Sequence, residues 1–334
     1  MFKAVGKKAF MKLMDSLSKG YEIAAPRKFS NKGVFYSAIT DAGDIYLGAE
    51  FTVEPVKKLF LMPSEWLFEN RFNDGKISLQ GGVPPQEARK RIIIGVRPCE
   101  ARGLELLDKV FCSDFKDSSY SKNRERSIIV GLACSKPDKT CFCTSLGSSP
   151  AETRGMDAII FAGEESDEMM LEIITDKARE IFAPLEDAAC EEHRKKLESE
   201  KKKIKDPVRK INIPDALSAS FESGYWKEVS SPCVSCGVCT YLCPTCHCFD
   251  LVDEERKRLR CYDGCCFKDF TQQASGENPR PTKRERYRQR VFHKFDYFRK
   301  NFGEHLCVGC GRCIRHCPMK IDISEIAANA PKNK

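Results

Sequence analysis

Two stretches of this chain carry the residues most suited to chemistry. They are "CVSCGVCTYLCP" (Cys233 to Pro244) and "CVGCGRCIRHCP" (Cys307 to Pro318). Each sets four cysteines in the order C-x2-C-x2-C-x3-C-P. The four positions recur 74 residues later as the pairs 233/307, 236/310, 239/313 and 243/317. Thiolates at such short spacing hold metal. In a long chain without a secretory leader, C-x-x-C repeats mean ligation and not disulfides.

Zinc is the first competitor, because two C-x-x-C hooks make a structural zinc site. Zinc has no use for a third cysteine three residues on, nor for a fourth just before a proline. The spacing is that of the bacterial ferredoxin run. In that device three thiolates in a tight loop bind three iron corners of one cubane, and the fourth reaches the other cluster. The expected sets are therefore Cys233, Cys236, Cys239 and Cys317 for cluster 1, and Cys307, Cys310, Cys313 and Cys243 for cluster 2. The two runs lie farther apart than in a compact ferredoxin. The insert has room for two or more helices, so a helical dicluster domain is expected.

Further cysteines crowd the same region. "CPTCHCFD" adds Cys246 and Cys248, and "CYDGCCF" adds Cys261, Cys265 and Cys266. Inert buried thiols are the plain reading. Cys246, Cys248 and Cys265 are also candidates for extra ligands or redox thiols. His247 and His316 stand among the cluster cysteines, where a hydrogen bond tunes a potential. His293 reads as a packed helix residue.

The elements that must position these thiols divide by cysteine density. Of the 19 cysteines, six fall before about residue 215 and thirteen after it. The boundary region "DAACEEHRKKLESEKKKIKDPVRKINIPDAL" reads as an exposed helix running into a linker. Two domains are expected, 1–215 and 216–334. In the first, "RIIIGV" and "RSIIVGLA" are short apolar strands, and "EARGLELLDKVF" is an amphipathic helix between them. That alternation predicts a partly parallel, mixed sheet. "MDAIIFAG" with "MMLEIIT", and "GVFYSAI" with "DIYLGAEF", read as antiparallel pairs. "MFKAVGKKAFMKLMDSL" reads as an amphipathic helix and not as a leader. The second part, including "CFDLVDEERKRLRC", reads as helical. The fold class is α+β: an N-terminal α/β domain followed by a C-terminal helical ferredoxin-like domain.

Cys99 follows the first apolar strand and Cys134 the second, with Cys141 and Cys143 close behind. If the strands are parallel neighbours, all four thiols gather at one sheet edge, where α/β proteins build sites. Structural cysteines around a turn at "KPDKT" are the equal alternative. Cys112 and Cys190 read as ordinary cysteines.

Composition excludes several classes. With 334 residues, 41% hydrophobic and 31% charged, the chain is a globular protein with a sizeable core. No apolar run reaches the eighteen or so residues of a membrane span, and the cytoplasm is the expected compartment. There is no Ser-His-Asp arrangement, Walker loop or G-x-G-x-x-G. The formal charge of +8 counts cysteines as neutral. A cubane with four thiolates carries about −2, so three of them leave roughly +2, and no nucleic-acid partner is expected. Fully thiolate-bound clusters with no acid–base pair beside them predict an electron conduit without a catalytic site. The alternative is a thiol/disulfide-active iron–sulfur enzyme using the extra C-terminal cysteines.

Several segments resemble a known family. "YWKEVSSPCVSCGVCTYLCPTCHCFD", "NPRPTKRERYRQRVFHKF" and "CVGCGRCIRHCP" are similar to the dicluster [4Fe-4S] subunits of soluble oxidoreductases. These include the beta subunit of sulfhydrogenases, the dicluster subunit of anaerobic sulfite reductase, and dicluster proteins that accompany heterodisulfide reductase. "GVRPCEARGLELLDKVF" and "CFCTSLGSSP" resemble that family's N-terminal region. The resemblance spans most of residues 90–330. It implies a hetero-oligomer in which this chain relays electrons between a redox catalytic subunit and a flavoprotein, NAD(P)H-linked subunit. It also implies a third [4Fe-4S] cluster on Cys99, Cys134, Cys141 and Cys143.

Overall fold

The computed structural model describes residues 2–48, 51–73, 76–81, 89–162, 167–185, 191–204, 206, 209–214 and 217–331. Cys190 lies outside them. The chain forms two compact units, and neither is one continuous stretch. The first comprises Met1–Lys57, Arg89–Lys210 and Val308–Cys310; the second comprises Lys58–Ala88, Ile211–Cys307 and Gly311–Lys334.

The first unit holds a seven-stranded mixed sheet. Its strands are β1 (Phe2–Gly6), β2 (Glu22–Phe29), β3 (Gly33–Ala38), β6 (Arg91–Val96), β7 (Ser127–Leu132), β8 (Ala158–Ala162) and β9 (Glu168–Ile173), in the order β1-β9-β8-β7-β6-β2-β3. The four central strands run parallel, and β3, β9 and β1 join through antiparallel pairings at the edges. β6 and β7 are buried along their whole length, as expected of strands covered on both faces. The unit's helices are α1 (Lys7–Leu17), α2 (Pro98–Phe111), α3 (Ser118–Glu125), α4 (Asp176–Phe182) and α5 (Glu191–Lys203).

Two expectations about this unit are corrected. The first strand takes up Phe2–Gly6, so the N-terminal helix begins only at Lys7; it buries Phe10, Leu13 and Met14. "GVFYSAI" does not pair with "DIYLGAEF". It pairs with β2, whose Pro26 argues against a strand. That proline is tolerated because β6 pairs only with Glu22, Ile23 and Ala24, before the missing N–H is reached. "TDAG" instead forms a 3-10 turn at Ala42–Asp44, capped by the Asp41 carboxylate.

The second unit contains a four-stranded antiparallel sheet. β4 (Ser64–Asn73) and β5 (Lys76–Gly81) come from the early part of the chain, and β10 (Phe249–Glu254) and β11 (Lys257–Tyr262) from the late part. Their order is β10-β11-β4-β5. The helical reading of "CFDLVDEERKRLRC" is thus wrong: it is a hairpin. Its Glu, Lys and Arg content favours helix, but pairing of β11 with β4 overrides that preference. Arg260 forms a buried ion pair with Glu65, and Leu259 is buried on the same strand. The remaining elements are helical, as the sequence indicated. They are α6 (Tyr225–Ser230), α7 (Val238–Tyr241), α8 (Lys283–Phe292), α9 (Phe298–Phe302), α10 (Arg312–Arg315) and α11 (Ile323–Ala328). A π-turn at His293–Tyr297 joins α8 to α9.

Two features fix the start of α2, where Cys99 sits. Gly95 lies at a register shift in β6 with φ +76°, and a Cβ there would come within 2.8 Å of the Pro26 ring. Glu100 is fully buried and accepts hydrogen bonds from the Tyr36 hydroxyl (3.0 Å), the Val56 amide (2.9 Å) and the Arg97 amide (3.3 Å). Arg97 in turn donates to the Ala133 carbonyl at 2.9 Å, tying the ends of β6 and β7 together. Glu100→Ala removes the carboxylate acceptor of two buried amides and leaves the Tyr36 hydroxyl only the Gly95 carbonyl at 3.3 Å, and is expected to cost about 2–3 kcal/mol. The check is the urea midpoint at unchanged slope, with Glu100→Gln losing less because its amide oxygen still accepts.

Candidate iron–sulfur sites

Cys233, Cys236, Cys239 and Cys317 line one cavity of the second unit, of about 40 Å³. Single water sites need only about 10–15 Å³. Cys233 and Cys236 come from the loop leading into α7, Cys239 from α7 itself, and Cys317 from the turn after α10. Backbone geometry creates the loop. Gly237 takes φ +79° and Ser235 φ +55°, so successive amides and side chains turn inward. The Ser235 amide donates to the Cys233 sulfur at 3.4 Å, and the Ile321 amide to the Cys317 sulfur at 3.3 Å. Cys266 and Cys313 line the same cavity. Cys266 sits 3.7 Å from the Thr240 hydroxyl and is pushed up to about 11, chiefly by burial.

The donor set fits a cubane better than a single ion. Four sulfurs on one zinc lie about 3.8 Å apart, given bonds near 2.3 Å. Among the described residues no three His, Cys, Asp or Glu side chains are gathered that closely. Four thiols lining one cavity, drawn from ferredoxin-type runs, suit the corners of an inorganic core.

Cys243 and Cys307 lie near the buried Lys294 of the π-turn, whose ammonium donates to the Thr245 hydroxyl at 2.7 Å. Thr245 Oγ1 donates to the Leu306 carbonyl and stands 3.4 Å from the Cys243 sulfur. Burial alone would lower the Lys294 pKa, but the thiols of Cys243, Cys246 and Cys307 outweigh it and hold the group charged. Arg290, also buried, donates to the Cys246 sulfur at 3.2 Å and to the Cys239 carbonyl at 2.7 Å. Burial is again outweighed, by Cys239, Cys246, Cys313 and Cys243. His293 is pushed down to about 3 by burial, then by Lys294, His247 and Arg290, so it is a neutral packed ring. His247 contacts the Thr245 carbonyl at 3.0 Å through Nδ1. Burial, Arg315 and Arg312 lower His316.

Cys246 lies beside Cys243, and Cys248 beside Cys265. Cys261 is 3.5 Å from the Ser64 hydroxyl. Cys112 is exposed, 3.5 Å from the Ser121 hydroxyl.

In the first unit, parallel pairing of β6 with β7 brings Cys99 and Cys134 to the same sheet edge. Cys99, Cys134, Cys141 and Cys143 are all buried and line one cavity of about 20 Å³. The "KPDKT" turn exists as well. Asp138 accepts from the Thr140 amide at 2.8 Å, and its carbonyl accepts from the Cys141 amide at 2.9 Å. The turn and the convergence are one device, because the turn points the C-x-C thiols inward. Burial, and then Cys141 and Cys134, push Cys143 up to about 12. A thiol so placed gives up its proton to a bound cation.

Sequence reasoning missed a fifth member of this cavity, Cys310. The Phe142 amide donates to the Gly309 carbonyl at 2.9 Å, and the Cys141 thiol to the Cys310 carbonyl at 3.7 Å. Gly309 has φ +63°, and a Cβ there would meet the Phe142 carbonyl carbon and the Cys143 amide at 2.6 Å. The only signal in the sequence is the glycine between two run cysteines.

Two thiol-lined cavities, one built from both ferredoxin runs, define an iron–sulfur electron-transfer protein. The 4Fe-4S dicluster domain family matches residues 232–321. The sulfhydrogenase 2 subunit beta of Pyrococcus furiosus is 32% identical over 300 residues, covering 86% of each chain. No solved structure matches. The chain belongs to the dicluster [4Fe-4S] iron–sulfur subunit family of oxidoreductases. Among the described residues no helix is long and apolar enough to cross a membrane.

The tight approach at Gly309 gives a direct test. Gly309→Ala adds a left-handed penalty and a backbone clash, and is expected to cost about 2 kcal/mol or more. Gly303→Ala has a similar φ of +75° but nothing within 4 Å of the added Cβ, and should cost about 1 kcal/mol. Urea midpoints of the two variants measure the difference.

Proposed function

We propose that this chain is the electron-relay subunit of a cytoplasmic hetero-oligomeric oxidoreductase. It stands between a flavoprotein, NAD(P)H-linked subunit on one side and a redox catalytic subunit of hydrogenase, sulfite reductase or heterodisulfide reductase type on the other. The observation that carries this reading is the cavity shared by Cys233, Cys236, Cys239 and Cys317. Three thiols of one ferredoxin run line it together with Cys313 and Cys317 of the other, which supports the exchanged ligation of two-cluster ferredoxins. The Pyrococcus furiosus relative is a subunit of a sulfhydrogenase, which supports a place in a complex.

Cys233, Cys236, Cys239 and Cys317 would hold cluster 1, and Cys307, Cys310, Cys313 and Cys243 cluster 2. Cys99, Cys134, Cys141 and Cys143 would hold cluster 3, at the sheet edge of the first compact unit, whose chain is not the continuous 1–215 stretch expected from the sequence. When bound, each [4Fe-4S] group supplies one-electron exchange at thiolate-bound iron. The chain's own residues hold the thiolates in place and set positive charge beside them through Arg290 and Lys294. The sequence carries no dinucleotide fingerprint, which supports a partner's flavin as the converter of hydride into single electrons.

Anaerobic reconstitution of the full chain should give about twelve iron atoms, against about eight for two clusters. Cys141→Ala should lower the content by about four. Cys317→Ala should remove the cluster of Cys233, Cys236 and Cys239 from the electron paramagnetic resonance spectrum and leave that of Cys307, Cys310 and Cys313. Loss of the second signal with retention of the first refutes the ligand exchange. NAD(P)H oxidation should appear only on adding a flavoprotein, and flavin bound to the isolated chain in stoichiometric amount refutes the relay role.

A further inference from the structure

A cavity of about 930 Å³ opens in the first unit, and no cysteine lines it. Ligand pockets run from roughly 300 to 1,000 Å³. β1, β7 and β8 all point the same way. The cavity gathers residues from their carboxyl ends: Lys7 directly after β1, Ser135–Lys139 just after β7, and Ala162 at the end of β8. Open α/β sheets bind ligands in crevices of that kind. The rest of the lining comes from Met11 of α1, from residues 45–48 and from Phe51.

Two chemistries meet in this lining. The first is positive charge, from Lys7, Lys136 and Lys139. Among the described residues none of these three side chains has an ion pair or a hydrogen bond. Asp138 also lines the cavity, but its carboxylate accepts from the Thr140 amide at 2.8 Å and the Thr140 hydroxyl at 2.5 Å, within its own turn. The first turn of α1, which Lys7 opens, holds no acidic residue. Ammonium groups gathered around one space raise the local concentration of anions. The second chemistry is apolar and aromatic, from Tyr46, Phe51, Met11 and Pro137. This wall is fixed from behind. Arg97 is 4% exposed, sets its guanidinium 5.6 Å from the centre of the Phe51 ring and donates to the Gly48 carbonyl. A wall held in place before binding lowers the ordering cost of a ligand.

We propose that this cavity is a binding site for a phosphorylated organic anion with a flat ring, the chemical class of a nucleoside diphosphate. Lys7, Lys136 and Lys139 receive the phosphates as point charges. Tyr46 and Phe51 take the ring by offset stacking. The sequence has no Walker loop or G-x-G-x-x-G, so the lysines carry the recognition that a glycine-rich backbone supplies elsewhere. The relay reading calls for no such ligand, and the site does not depend on it.

The test is titration calorimetry of the full chain, reconstituted with iron and sulfide and kept without oxygen, with ADP as the probe. ADP should bind at one site per chain, and adenosine and pyrophosphate each more weakly by about tenfold or more. Lys136→Ala with Lys139→Ala should weaken ADP by about tenfold or more. Lys8→Ala with Lys12→Ala removes the same charge from exposed positions of α1 outside the lining, and should change the affinity by no more than about twofold, because salt screens distant charges. Tyr46→Leu should weaken ADP and leave pyrophosphate unchanged. All variants should keep the iron content of the parent. The inference is overturned if ADP gives no saturable heat, or if the Lys8 and Lys12 pair costs as much affinity as the Lys136 and Lys139 pair. Pyrophosphate binding as tightly as ADP, or an unaltered ADP affinity in Tyr46→Leu, overturns the ring-binding wall. A parent chain that holds no iron strikes the relay reading instead, and ADP binding still decides this one.

Discussion

Gathering negative sulfur in a buried place is the constraint on which this structure turns. A thiol in an apolar interior resists ionisation, and each neighbouring thiolate makes it worse. Cys143 shows the penalty directly, pushed up by burial and by Cys141 and Cys134. The chain meets the problem differently in its two units. In the second it buries cations: Arg290, Lys294 and Arg312 are each at most 4% exposed. In Arg290 and Lys294 the surrounding sulfur outweighs burial and favours the charged form. In the first it uses a sheet edge and a short turn to converge four thiols, leaving their ionisation to whatever cation binds.

The cations explain a local irregularity. A π-turn is costly beside a regular helix and tends to occur where a side chain must be re-aimed. Here it spans His293–Tyr297. It brings Lys294 inward to Thr245 while freeing its carbonyl to accept from the Leu306 amide at 2.9 Å. Leu306 immediately precedes Cys307, so the same irregular turn that supplies the charge also anchors the start of the second run.

What the sequence made legible follows the range of the interactions involved. The cysteine runs, the strand before Cys99 and the strand before Cys134 are local patterns, and their parallel pairing follows from the helices between them. The hairpin Phe249–Tyr262 was not legible, because its residues prefer helix and its stability comes from β4, nearly 200 residues earlier in the chain. The pairing of β3 with β2 was hidden by Pro26. The presence of Cys310 among the N-terminal thiols was hidden too, since it depends on a three-residue contact at Gly309 that no periodicity announces.

The path of the backbone has a consequence of its own. It passes from one compact unit to the other after residues 57, 88, 210, 307 and 310. A single cut at any peptide bond therefore cannot yield two complete modules. Each fragment would carry off part of its neighbour's fold or forfeit part of its own. Such a chain resists the shuffling by which ferredoxin cassettes are appended to other enzymes. A single crossover within the chain would divide at least one of the two folds.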